Sequence, residues 1–386
     1  MKANRQYWLF GLILLGFLLL SAHFYSYHDA VTKGFSDVVP YVKMATAPDF
    51  ISFHALSNDF PIHHLERWPV HLFVGTIINI TGLDFWMAYR FCVLACLLLA
   101  IFLVGQLQCS AAAKKAFLVL VLLSPYTFRQ YLAVPAMISD CLFYTAVIGF
   151  AVGMYKRNLV MLAGFAVLAC LARQTGIILV PILLVYCLIY RVELKKSLLM
   201  IGLVVLTFLL VKELSQILFI PKSTNYVFMH TLGIFVWLMN EPHWLEWIDF
   251  IGRYGLMLIT ILPMMILLRP GQVVQWWYVF FFLLIGAQPL LAGPLVTGSN
   301  IDRLAIYGLP FLGLLFLGEA ITSKQLRVFT VLVMLVSFQP QFSLLQFVDG
   351  SRYYFVALAV FVGLISLTLW RSNRISNQIK NRYFHR

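Results

Sequence analysis

Apolar runs alternate with short polar breaks along the whole sequence, and the basic residues gather on every second break. The runs cover 7–24, 84–107, 116–128, 132–155, 159–172, 176–190, 197–220, 254–268, 273–291, 304–320, 326–338 and 353–370. The alternate breaks carry Lys2/Arg5, Lys114/Lys115, Lys156/Arg157, Arg191/Lys195/Lys196, Arg269, Lys324/Arg327 and a tail with Arg371, Arg374, Lys380, Arg382 and Arg386. Positive charge is retained on the cytoplasmic side of a bilayer, so these breaks are assigned to the cytoplasm. Both termini then lie inside, which demands an even number of crossings, and roughly twelve fit the hydropathy.

The expected fold is all-α and polytopic: a single integral membrane domain over 1–386, with a large first outer loop at 25–83 and a basic cytoplasmic tail at 371–386. Composition agrees, since 62% of the 386 residues are apolar and 11% charged, against about half and a quarter in soluble domains. The formal charge of +13 is spread over short loops and the tail. That suits topology and contact with anionic lipid rather than a nucleic-acid groove, and no nucleic-acid motif is present. The first run follows Lys2 and Arg5 and ends at Ser21-Ala22-His23 without an A-x-A cleavage site, so it reads as an uncleaved signal anchor. The six cysteines lie in or beside the runs, which implies no disulfide framework.

This topology sorts the remaining charges. Most carboxylates fall on the outer side, together with a few cations that orientation rules disfavour there, so each such cation invites a reason. The first outer loop, roughly sixty residues long, exceeds an ordinary connector. Its patterns at 37–47 and 62–80 suit two helices lying at the outer interface, with Trp68 and Trp86 at belt positions. Asp37 stands just beyond the first run, where partial loss of water suits a carboxylate to base work, or it caps the next helix. Arg67 opens the second interfacial helix, either paired with Glu66 or free to grip a phosphate in bidentate fashion. His63, His64 and His71 lie nearby and, beside Asp37 and Asp59, offer an alternative as a divalent-ion site, although no recognised metal-ligand spacing exists. Asp140, Arg173 and Arg303 sit near outer ends of runs, where each serves a site or pairs; Asp140 with Arg129 or Arg173 is the obvious pairing. Lys212 and Glu213, deeper in their run, read as a buried or snorkelling couple.

Taken in order, these pieces resemble the GT-C superfamily of membrane glycosyltransferases. The bacterial branch akin to protein mannosyltransferases and lipid-A aminoarabinose transferases is the nearest in pattern. The resemblance rests on Asp37 with Tyr41 soon after the first run, then Arg67-Trp68-Pro69, Ser139-Asp140 and Ala172-Arg173-Gln174-Thr175-Gly176. Asn300-Ile301-Asp302-Arg303-Leu304 completes it late in the chain. It implies a polyprenyl-phosphate-linked sugar as donor, a glycan, lipid or other envelope acceptor, and no cofactor. Asp37 is then the general base. Arg67, Arg173 and Arg303 stabilise the departing phosphate, while Tyr41 and Asp140 belong to the substrate site. It also implies a bacterial cytoplasmic membrane with the active face outward. Two other classes use similar parts: a polysaccharide polymerase or ligase, and a transporter or flippase of a lipid-linked sugar.

Overall fold

The structure is a computed structural model that describes residues 2–23, 38–47, 50–56, 62–124, 127–219, 226–244, 246–247, 250, 261–268, 275–297 and 304–337. Every regular element among the described residues is helical. In chain order these are α1 (Lys2–His23), α2 (Val38–Thr46), α3 (Phe50–Ala55), α4 (Ile62–Leu65), α5 (Trp68–Thr81) and α6 (Phe85–Gly105). Next come α7 (Ala111–Leu123), α8 (Phe128–Ala133), α9 (Ile138–Lys156), α10 (Leu159–Ala172), α11 (Leu179–Ile189) and α12 (Leu194–Leu218). The last are α13 (Tyr226–Met239), α14 (Trp276–Gly286), α15 (Gln288–Thr297), α16 (Leu309–Gly313) and α17 (Ser323–Ser337).

Among the described residues, five stretches are long and apolar enough to cross a membrane: Arg5–Ala22, Phe85–Gly105, Pro135–Lys156, Leu194–Leu218 and Trp276–Gly293. The chain thus has the make-up of an integral membrane protein. The expected runs and the helices do not match one for one. The run at 159–172 forms a 14-residue helix, about 21 Å long at 1.5 Å per residue and short of the ~30 Å hydrocarbon layer. The run at 353–370 and the first part of the 254–268 run, 254–260, lie outside the described residues. A further difference falls at 132–155, expected as one unbroken run. Pro135 lacks an N–H and forces its predecessor out of the helical region. Val134 accordingly sits at φ −123°, ψ 77°, and a 3-10 turn, Pro135–Met137, precedes α9.

The described helices fall into two compact units, one drawn from 1–14, 108–127 and 232–386 and the other from 15–107 and 128–231. In the first, α7 packs against α16 and α17, and Gln325 Nε2 donates to the Ile266 carbonyl at 3.2 Å. In the second, α9 is the axis. Every residue from Ile138 to Met154 except Leu142 is buried, because α6 and α10 pack on it and α10 packs in turn on α12. A helix apolar all round belongs in the middle of a bundle. By contrast, α12 exposes Leu198, Leu199, Leu203, Leu206, Leu210 and Leu214, a face suited to lipid rather than water.

The described parts of the 25–83 region are built mostly as helices over the end of this unit. Tyr41 and Met44 of α2, Phe53 of α3, Leu56 and Leu65 bury against Phe219, just past α12. The second expected helix, 62–80, is in fact two: α4 ends at Leu65 and α5 begins at Trp68. Pro69 lies in the first turn of α5, where its missing N–H costs nothing. That break leaves Glu66 and Arg67 at a junction instead of on a helical face. Helix α2 rests directly on α5: a Cβ on Gly75 would stand 2.5 Å from the Ala45 carbonyl oxygen, so only glycine allows the crossing.

Candidate active site

Helix directions decide which residues meet. The beginnings of α6 and α9 and the ends of α10 and α12 share one end of the second unit, beneath α2 and α5. Tyr41 is fully buried, and its hydroxyl accepts a hydrogen bond from Arg67 Nη1. The same hydroxyl lies 3.3 Å from His64 Nδ1, and the Arg67 guanidinium carbon stands 5.5 Å from the centre of the Tyr41 ring. Gln174 Nε2 donates to Glu66 Oε2. Next to Gln174, Arg173 forms an ion pair with Asp140, both buried. Next to Asp140, Ser139 Oγ lies 3.2 Å from His71 Nε2. His71 Nδ1 lies 2.7 Å from the Tyr89 hydroxyl, which donates to the Tyr41 carbonyl at 3.2 Å. Following bonds and peptide neighbours from Tyr41 through Arg67, Glu66, Gln174, Arg173, Asp140, Ser139, His71 and Tyr89 returns to Tyr41. The circuit is closed.

The local sequence explains its fixity. The turn after α10 folds back so tightly that a Cβ on Gly176 would stand 2.4 Å from the Cys170 backbone nitrogen, and the Gly176 N–H bonds the Arg173 carbonyl at 2.9 Å. Arg173 and Gln174 are thereby presented from a 3-10 turn (Gln174–Ile178), each toward its own partner. Trp68 at the head of α5 donates from Nε1 to Ser215 Oγ on α12 at 3.1 Å, which ties the junction to the far wall.

Electrostatics follow from burial. Loss of water pushes the Glu66 carboxyl above the usual carboxylate range, partly offset by the Gln174 amide, Lys212 and Arg67. Burial, and secondarily the Arg67 charge, drives the His71 imidazole well below its ordinary value and holds it neutral. Arg67 is 6% exposed, and its Nε–H meets no acceptor among the described residues. A buried donor left unspent in this way is costly, and a ligand oxygen would satisfy it.

Of the residues singled out in the sequence, Tyr41, Arg67, Asp140 and Arg173 are brought together. Asp37 and Arg303 lie outside the described residues. Lys212 does not form a couple with Glu213: its charge acts on Glu66, whereas Glu213 is exposed. Neighbours in sequence on a helix point about 100° apart, so the pair reading failed on helical geometry. Tyr89 had no signal beyond being a tyrosine one turn past the Asp84 cap of α6. Among the described residues no three His, Cys, Asp or Glu side chains stand together as a metal site requires. His71 spends both ring nitrogens on hydroxyl groups. No protein-family model matches the chain, and neither a curated protein nor a solved structure is significantly similar to it.

Proposed function

We propose that this protein is a membrane glycosyltransferase that moves a sugar from a polyprenyl-phosphate-linked donor to a glycan, lipid or other envelope acceptor. In this reading the chain crosses a bacterial cytoplasmic membrane about twelve times, and the circuit faces outward, away from the basic breaks. The observation that carries the reading is the buried Arg67 guanidinium with an unspent donor, set among charges that leave a positive surplus. Arg67, Arg173 and Lys212 face Glu66 and Asp140, a surplus that grows when Glu66 holds its proton. A phosphodiester donor carries one negative charge, and the phosphate monoester it releases carries nearly two at neutral pH. A cationic, water-poor pocket favours the second over the first, which is the sense of stabilisation that speeds the reaction.

The acceptor oxygen or nitrogen forms its bond to the anomeric carbon as the bond from that carbon to the phosphate oxygen breaks. The acceptor proton passes to Asp37, and the electron pair leaves with polyprenyl phosphate, held by Arg67 with Arg173. Tyr41 fixes the Arg67 fork, and Asp140 fixes Arg173. Membranes containing the protein, supplied with labelled polyprenyl-phosphate sugars, test this directly. Wild-type protein is expected to consume the donor, and Asp37→Asn to consume none while remaining folded and inserted. Full transfer by Asp37→Asn sinks the base role. If the wild-type protein consumes no such donor, the reaction itself is wrong.

A further inference from the structure

His71 joins the two halves of the circuit, and its hydrogen bonds can be given directions. The Tyr89 hydroxyl has one proton and donates it to the Tyr41 carbonyl, so toward His71 Nδ1 its oxygen accepts. Nδ1 therefore carries the ring proton. The imidazole is 0% exposed and lies near Arg67, conditions that disfavour a second proton. Nε2 is then a lone pair, and Ser139 Oγ–H donates to it. All four groups point one way: Ser139 to His71, His71 to Tyr89, Tyr89 to the Tyr41 carbonyl. The His71 ring also stacks on Tyr41, centroids 4.3 Å apart and planes 6° from parallel.

We infer that His71 is a positioning residue: as the Nδ1–H tautomer, stacked on Tyr41 and bonded through Tyr89 and Ser139, it fixes the Tyr41–Arg67 side of the site against the Asp140–Arg173 side. An ordinary core histidine would satisfy its N–H on a nearby carbonyl and its lone pair on a nearby donor. This one spans three helices, α5, α6 and the start of α9, and bonds on either hand to the immediate surroundings of residues that hold the two arginines. The part of this inference that concerns turnover rests on the proposed reaction; the tautomer does not.

Nitrogen-15 NMR of the full-length protein in detergent micelles, with labelled histidine and His71→Asn for assignment, reads the tautomer. A protonated Nδ1 with an unprotonated Nε2 at neutral pH is expected, and an Nε2–H tautomer or an imidazolium overturns the relay. The positioning role is read in donor turnover. His71→Phe keeps an aromatic ring for the stack and loses both bonds, and kcat should fall about a hundredfold, the scale of a 1 Å misplacement. His71→Asn, whose amide can replace the Nδ1 donor, should recover about tenfold of that loss, on the scale of one hydrogen bond to a positioned group. Undiminished turnover by folded His71→Phe overturns the role. Should His71→Phe not fold, Tyr89→Phe cuts the same relay at its next link and is judged by the same kcat. Wild-type protein that turns over no polyprenyl-phosphate sugar would remove the reaction and the positioning role together, while the tautomer would still decide the relay.

Discussion

The two ends of α9 carry charge in opposite ways. At its beginning, Asp140 is buried and paired with an equally buried Arg173, inside a circuit whose members are nearly all sealed from solvent. At its end, Lys156 and Arg157 are exposed, and Arg157 lies over the Tyr190 ring at 4.9 Å, beside the exposed Arg191, Lys195 and Lys196 of the neighbouring turn. Here Lys196 pairs with Glu193 in the open at 2.9 Å. One end organises a few charges at high cost; the other displays many at almost none. Charges that only orient a chain in a membrane need water and lipid headgroups, so they stay outside. Charges taken inside must be paired, because an isolated buried charge costs several kcal/mol.

The sharpest way to break this contrast is Asp140→Asn. It leaves Arg173 buried without its carboxylate, and loss of one partner of a buried pair costs about 3–5 kcal/mol. Chemical unfolding of the detergent-solubilised protein should show that loss. Gly176→Val should come next, at about 1–3 kcal/mol, the range for overpacking, because its Cβ would meet backbone. Glu66 sharpens the comparison through pH. Its carboxyl is raised by burial in the fold, so the native state binds the proton more readily than the unfolded chain does. Its contribution therefore improves as pH falls through the raised value and levels off below the ordinary carboxylate range. Glu66→Gln should erase that dependence and be no less stable than wild type at pH 8. Smallest of all, Arg157→Ala at the open end should cost only about 0.5–1 kcal/mol, the worth of an exposed cation–π contact. A loss at Arg157 as large as that at Asp140 would end the distinction.

Much of this end was legible before the structure. Arg67, Asp140 and Arg173 stood out because charged groups at the expected outer breaks of an apolar chain need a reason, Tyr41 stood out only through the family resemblance, and the structure gathers all four. The Asp140–Arg173 pairing was one of two alternatives readable from the sequence, but the contacts that join the two halves of the circuit were not legible. Gln174 meets Glu66 across 108 residues and Ser139 meets His71 across 68, and no local spacing encodes such pairings. The opening of α5 at Arg67 was legible, but the 62–80 pattern merged the short α4 with it. The apolar pattern hid the break at Val134–Pro135 in the same way, because it registers apolar length without registering where a helix stops.

The Ala45 carbonyl touching Gly75 has one more implication. Where two helices meet peptide to peptide, no rotamer stands between them to relax, and the interval from tyrosine to arginine is inherited from main-chain geometry. Adding a single methyl group at position 75 would push the two helices apart and reset it.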